Sequence, residues 1–194
     1  MEFNKLTDVP SLHQIKQAAH QIQDIVLKSP LMYAPRLSES FGAKIFLKRE
    51  DLQGVRSYKI RGAYHKIANI PLDLRSRGVV AASAGNHAQG VAFSCNLLQI
   101  KGKIYMPKTT PKQKIKQVQL FGKSFVEIEL IGDTFDDAYA KAVADAKENN
   151  KIFIHPFDDL KVIAGQATVG LEILESYHPP IDYVFVPIGG GGLA

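Results

Sequence analysis

An α/β fold on a mostly parallel sheet is predicted by three observations. Short apolar runs alternate with helix-period stretches along most of the chain. Cap and turn residues punctuate that alternation where one element gives way to the next. No internal repeat, low-complexity tract or long linker interrupts it. Strands alternating with helices pack as a parallel sheet covered on its faces.

The elements follow in order. Leu12, Ile15, Ala19, Ile22 and Val26 recur at helical spacing behind Pro10 and the cap residue Ser11. A turn at Ser29-Pro30 precedes a strand at 43–47, extending to Arg49 in the wider motif. Lys59 opens a helix that runs through Ala63 and Ile67 and fades at Asn69-Ile70-Pro71. A strand at 78–82 leads to a helix at 86–98, and a strand at 103–106 to a helix that starts at Thr110-Pro111 and ends at Phe121. A strand at 125–130 precedes Thr134, which with Asp137 forms a capping box. That helix carries Phe135, Ala138, Tyr139, Ala142, Val143 and Ala146 on one face. A strand at 151–154, a helix at 162–177 striped by Ile163, Ala167, Leu171 and Leu174, and a last strand at 183–188 complete the prediction.

The 194 residues suffice for one good core or two small ones, and 45% hydrophobic with 22% charged residues excludes a disordered chain. The net charge of +5 is scattered, and Lys108, Lys112, Lys114 and Lys116 read as a solvated helix face. No recognition motif accompanies the charge, so no nucleic-acid partner is expected. Cys95 is the one cysteine; it lies in an apolar run and reads as a buried core thiol. Met1 to Lys5 lack an apolar leader, and no apolar run approaches about 20 residues, so a cytoplasmic protein without membrane contact is expected. No histidine, cysteine and carboxylate set has metal-ligand spacing, so no metal is predicted.

Three segments carry chemistry. Ser57-Tyr58-Lys59-Ile60-Arg61-Gly62-Ala63 places a lysine at a helix start. Taken alone, Lys59 reads as a solvated lysine; in a partly dry pocket beside a ring cofactor its amine can form a Schiff base. Pro187-Ile188-Gly189-Gly190-Gly191-Gly192-Leu193 places four glycines behind an apolar run. Without a Cβ, such a loop turns backbone N–H groups toward an anion, and phosphate is the usual tenant. Ser83-Ala84-Gly85-Asn86-His87-Ala88-Gln89-Gly90 spans a strand-to-helix junction. There Asn86 can cap the helix, and the free N–H groups of a helix start favour an anion. His87 and His155 read as structural histidines.

In this order the three segments resemble the fold-type II pyridoxal-phosphate enzymes (tryptophan synthase β-like), and most closely the threonine dehydratases, or threonine ammonia-lyases. The flanking stretch Leu47-Lys48-Arg49-Glu50-Asp51-Leu52-Gln53-Gly54-Val55-Arg56 leans toward their biosynthetic form. The resemblance runs from about Leu12 to Ala194. It implies pyridoxal 5'-phosphate as cofactor, held by Lys59, Tyr58, Asn86, Gly189, Gly190, Gly191, Gly192 and Leu193. It implies Lys59 as catalytic base, and Ser83, Gly85, Asn86 and His87 around the substrate carboxylate. The implied reaction is deamination of L-threonine, with L-serine as a poorer substrate, the first committed step toward isoleucine. Ala84 stands where related racemases carry a second serine, which argues for elimination over racemisation. With the Arg61-Gly62-Ala63 continuation it also favours a dehydratase over serine racemase and the cysteine or cystathionine synthases. Tyr58 stands where phenylalanine is commoner. The family architecture implies a large domain at 1–71 and 151–194 with a small α/β domain inserted at 72–150. The family also continues past the glycine loop, so the chain is expected to be an N-terminal portion. It would be homo-oligomeric in its full-length form, or a non-catalytic chain that pairs with a partner.

Overall fold

The protein is described by a computed structural model covering residues 9–194; Met1 to Lys5, read above for a leader, lie outside the described residues. A parallel four-stranded sheet forms its centre, in the order β5 (Val126–Leu130), β4 (Gly102–Met106), β3 (Val79–Ala82), β6 (Ile152–Phe153). Strand β3 reads as a run of four buried residues, as expected of a strand covered on both faces. Val79 and Ala81 point into a core with α4 (Asn86–Leu98) and α5 (Lys112–Gly122), which includes Val91, Cys95, Ile104 and Val118. Val80 and Ala82 point the other way, onto Ala138 and Ala142 of α6 (Phe135–Glu148). The two-residue period of the strand thus assigns each side chain to one of two cores.

Capping chemistry sets the helix starts. In α1 (Leu12–Ile22) the Gln14 N–H donates to Ser11 Oγ at 3.3 Å, and the Ser11 N–H donates to Gln14 Oε1 at 2.8 Å. In α6, Thr134 and Asp137 form the expected reciprocal pair. Helix α7 (Leu160–Ser176) starts on Asp159, whose carboxylate accepts from the N–H groups of Lys161 and Val162. Helix α3 (Lys59–Ala68) begins at the predicted lysine and packs against α1, α4 and α7.

The structure corrects four expectations. A short antiparallel ladder, β1 (Leu31–Tyr33) with β2 (Phe46–Lys48), flanks α2 (Pro35–Phe41), where only a turn and one strand were predicted. Thr110 does not cap α5: Pro111 holds that position, the helix starts one residue later than expected, and the Thr110 hydroxyl is buried without a partner. The predicted stripe on α7 is not its buried face, since Leu174 is 66% exposed. Val162, Gly165, Gln166 and Val169 turn inward instead, because Gly165, with no Cβ, lets α7 approach Gly62 of α3 closely. Finally, 183–188 has no regular secondary structure and pairs with no strand among the described residues, and Phe185 is 93% exposed. Strand preference in Val, Tyr and Phe reflects packing on a neighbour, and no neighbour reaches this segment here. The basic residues Lys108, Lys112, Lys114 and Lys116 are all exposed, as a solvated face requires.

Candidate active site

Lys59 is the first residue of α3, after Tyr58, and no side chain caps that helix. Its backbone is held by close helix contacts. A Cβ on Gly90 of α4 would lie 3.0 Å from the Lys59 carbonyl oxygen. A Cβ on Gly62 would lie 2.5 Å from the Val162 carbonyl oxygen, and one on Gly165 would lie 2.6 Å from Gly62 Cα. Three glycines therefore let α3, α4 and α7 close on the segment that starts with Lys59. Glycine inside a helix costs about 1 kcal/mol against alanine, so its presence at three helix contacts marks close packing.

The Lys59 amine donates to the Pro156 carbonyl oxygen at 2.7 Å and lies 5.3 Å from the centre of the Tyr58 ring. No carboxylate pairs with it among the described residues. Burial without a counter-charge lowers its pKa below the usual lysine value. Two imidazoles feel its charge. His87 is buried, its Nε2 lies 3.0 Å from the Ile154 carbonyl oxygen, and its Nδ1 has no partner. Burial first, then the positive charge of Lys59, brings His87 down to about 4 despite the Ile154 bond, so it is neutral at pH 7. His155 Nδ1 accepts from the N–H groups of Phe157 and Asp158, at 3.3 and 2.7 Å, and its ring lies edge-on to Phe157. Burial lowers its pKa as well.

The glycine run meets the next residue along. Cβ atoms on Gly190 and Gly192 would collide with Phe157, whereas those on Gly189 and Gly191 would meet nothing within 4 Å. Gly191 has φ +84°, in the left-handed region that favours glycine. The acceptor of the lysine amine and the seat of the glycine loop are thus consecutive residues, Pro156 and Phe157. Leu193, after the loop, is partly buried.

The third segment leaves the C-terminal end of β3. Ser83 Oγ accepts from the Gly85 N–H at 3.1 Å, and Gly85 precedes the first residue of α4, Asn86. The first backbone bond into the helix is from Gln89 N–H to Gly85 O, which leaves the N–H groups of Asn86, His87 and Ala88 without helical acceptors. Asn86 is exposed. Gly90, one turn on, rests on the Lys59 backbone, so this helix start overlies the lysine. The Lys59 amine and the glycine loop converge on 156–157, Tyr58 lies beside the amine, and the start of α4 packs on the Lys59 backbone through Gly90. Cys95 is buried, and its thiol is pushed up to about 12, as an inert core residue should be. Sequence reasoning missed Pro156, Phe157, Gly90 and Gly165; glycines inside helical runs were the available signal. Two cavities of about 410 Å³ each lie elsewhere, one among α1, α3 and α7 and one at the N-terminal edge of the sheet.

A partly dry amine beside an open glycine loop is the chemistry of an aldehyde-and-phosphate cofactor. Comparison with known proteins agrees: the chain belongs to the pyridoxal-phosphate dependent enzyme family, which matches residues 22–194. Within it, the chain is 54% identical over 186 residues to the biosynthetic L-threonine dehydratase IlvA of Bacillus subtilis, covering 94% of this chain and 44% of that protein. The corresponding enzyme of Halalkalibacterium halodurans is 54% identical over 176 residues, 91% of this chain and 42% of its own length. Among solved structures, the processed threonine deaminase isoform 2 of Solanum lycopersicum superposes with a TM-score of 0.85 at 40% identity, over 95% of this chain and 51% of that one. Maize serine racemase gives 0.88 at 33% identity, over 95% and 55%. The chain spans less than half the length of these two curated relatives. Its fold is that of the fold-type II enzymes, and its cofactor is pyridoxal phosphate.

Proposed function

We propose that this chain provides the lysine and the phosphate cradle of an enzyme that converts L-threonine to 2-oxobutanoate and ammonia, with L-serine as a poorer substrate. The observation that carries the reading is the Lys59 amine, lowered in pKa and bonded to a neutral carbonyl next to the seat of the glycine loop. Pyridoxal phosphate, when bound, supplies an aldehyde for covalent attachment and a ring that accepts electrons from the substrate Cα. Lys59 Nζ would hold that aldehyde and, once released, take the proton from Cα. Gly189, Gly190, Gly191, Gly192 and Leu193 would grip the phosphate through backbone N–H groups. Asn86 would donate its amide to the ring oxygen, and Tyr58 would flank the ring. The N–H groups at the start of α4, with Ser83, Gly85 and His87 around them, would bind the substrate carboxylate. Ala84 has no hydroxyl to return a proton to the opposite face, which supports elimination. The division into 1–71, 72–150 and 151–194 belongs to the same reading.

Lys59→Ala should abolish the visible absorbance of lysine-bound pyridoxal phosphate and lower keto-acid release from L-threonine by about 10³-fold or more. Unchanged turnover would remove Lys59 from the reaction.

A further inference from the structure

We propose that Arg61, clamped between Glu50 and Glu172, is the positioning residue for Lys59: the buried ion network fixes the first turn of α3 and so determines where the lysine amine lies. This rests on Lys59 as the functional amine.

Arg61 is two residues beyond Lys59 and 1% exposed. Every nitrogen of its guanidinium is used. Nε donates to Glu50 Oε2 at 2.8 Å. Nη1 donates to Glu172 Oε1 at 2.6 Å and Thr168 Oγ1 at 3.0 Å. Nη2 donates to Glu50 Oε1 at 2.7 Å, Glu172 Oε2 at 3.0 Å and the Leu27 carbonyl at 3.3 Å. Lys48 Nζ completes the set at 2.5 Å from Glu172, so two cations face two carboxylates. Burial pushes Glu172 up, but the bonds from Arg61 and Lys48 outweigh it and leave its pKa below the usual value.

The network ties α3 to α7, to the 3-10 turn at Glu50–Leu52 and to the strand β2 that precedes it. A buried ion set of this kind adds little stability over an apolar one. A planar guanidinium fork does fix orientation, which a lysine cannot reproduce. Lys66 and Asp159 offer a built-in contrast. They also join α3 to the start of α7, at 2.6 Å, but through one flexible ammonium two turns past Lys59.

The test measures Lys59 acylation against pH by peptide mass spectrometry in the full chain, with pyridoxal phosphate capture at Lys59 as a second readout. The groups facing the amine are Tyr58, His87 of α4 and His155, and the carboxylates Asp158 and Asp159 act on His155 rather than on the amine. Arg61→Lys and Glu172→Gln should each raise the Lys59 labelling midpoint by about one pH unit, toward ordinary lysine. They should also weaken capture about tenfold. Lys66→Ala should lower the melting temperature and leave the midpoint where it was. If Arg61→Lys does not fold, the near-isosteric Glu172→Gln decides. Unchanged midpoints in the folded network variants would overturn the proposal, as would an equal shift in Lys66→Ala. A wild-type chain that never captures pyridoxal phosphate would instead defeat the functional reading, and the labelling comparison would still decide the role of Arg61.

Discussion

The two ends of the candidate site are built in opposite ways. The lysine end is made by α3, α4 and α7, closed on one another through Gly62, Gly90 and Gly165 and locked by a buried ion network. The glycine end is a segment without regular secondary structure whose apolar side chains Tyr183, Val184, Phe185 and Ile188 are exposed, and Phe157 is the residue on which Gly190 and Gly192 rest. In the proposed roles, a covalent anchor would have to be held closely in place, whereas an anion cradle would need only open N–H groups near the anion. The difference therefore separates two kinds of sensitivity: packing changes act at the lysine end, and approach changes act at the glycine end.

The largest expected contrast is between two glycines. Gly62→Val should destabilise the fold by about 3 kcal/mol or more, because its Cβ would meet the backbone oxygen of Val162 at 2.5 Å and neither helix can yield locally. Gly189→Ala has open space around it and should change stability by less than about 0.5 kcal/mol. Denaturant midpoints of the two variants measure this directly. Similar losses at both positions would erase the distinction between the two ends.

A second test uses pH. His87 sits at about 4 in the fold, against about 6.5 when unfolded, because it is buried neutral beside Lys59. The unfolded chain therefore binds the proton first as pH falls. Stability from this residue is complete above about 6.5 and is lost progressively on the way down to 4, by roughly 2 kcal/mol at pH 5. His65, also at about 4 through burial, adds to the same slope. His87→Gln should lose less stability between pH 7 and pH 5 than the wild type, by about 2 kcal/mol. An unchanged pH slope would show that His87 is already protonated or solvated at the lysine end.

Much of the sheet was legible because its physics is local. The all-apolar Val79 to Ala82 run, the Ser11 cap and the Thr134–Asp137 capping box each declare an element within a few residues. Helix α2 carried its signals too, Pro35 at its start and Gly42 in the left-handed region at its end, but at seven residues it falls below the length at which periodicity speaks. The inward face of α7 was misread because leucines outrank glycines in a hydrophobic pattern. The contact with α3 depends instead on Gly165 having no side chain. The lysine, the asparagine turn and the glycine run were visible as motifs. The meeting of the lysine and the glycine run at Pro156 and Phe157 was not, nor was the clamp of Arg61 by Glu50 and Glu172, since both join residues far apart in the chain.

The smallest expected effect sharpens the glycine end. Phe185 is 93% exposed, so Phe185→Ser removes almost no buried area. At the lysine end a comparable truncation of a buried side chain would cost several kcal/mol. Here the thermal midpoint should move by less than about 1 °C. What should change is association, because Tyr183, Val184, Phe185 and Ile188 form a strand-prone run with unpaired backbone groups. Light scattering at rising concentration should show weaker self-association in the variant than in the wild type. A drop of several degrees in the midpoint, with scattering unchanged, would mean that Phe185 is packed in solution and that the glycine end is as tightly built as the lysine end.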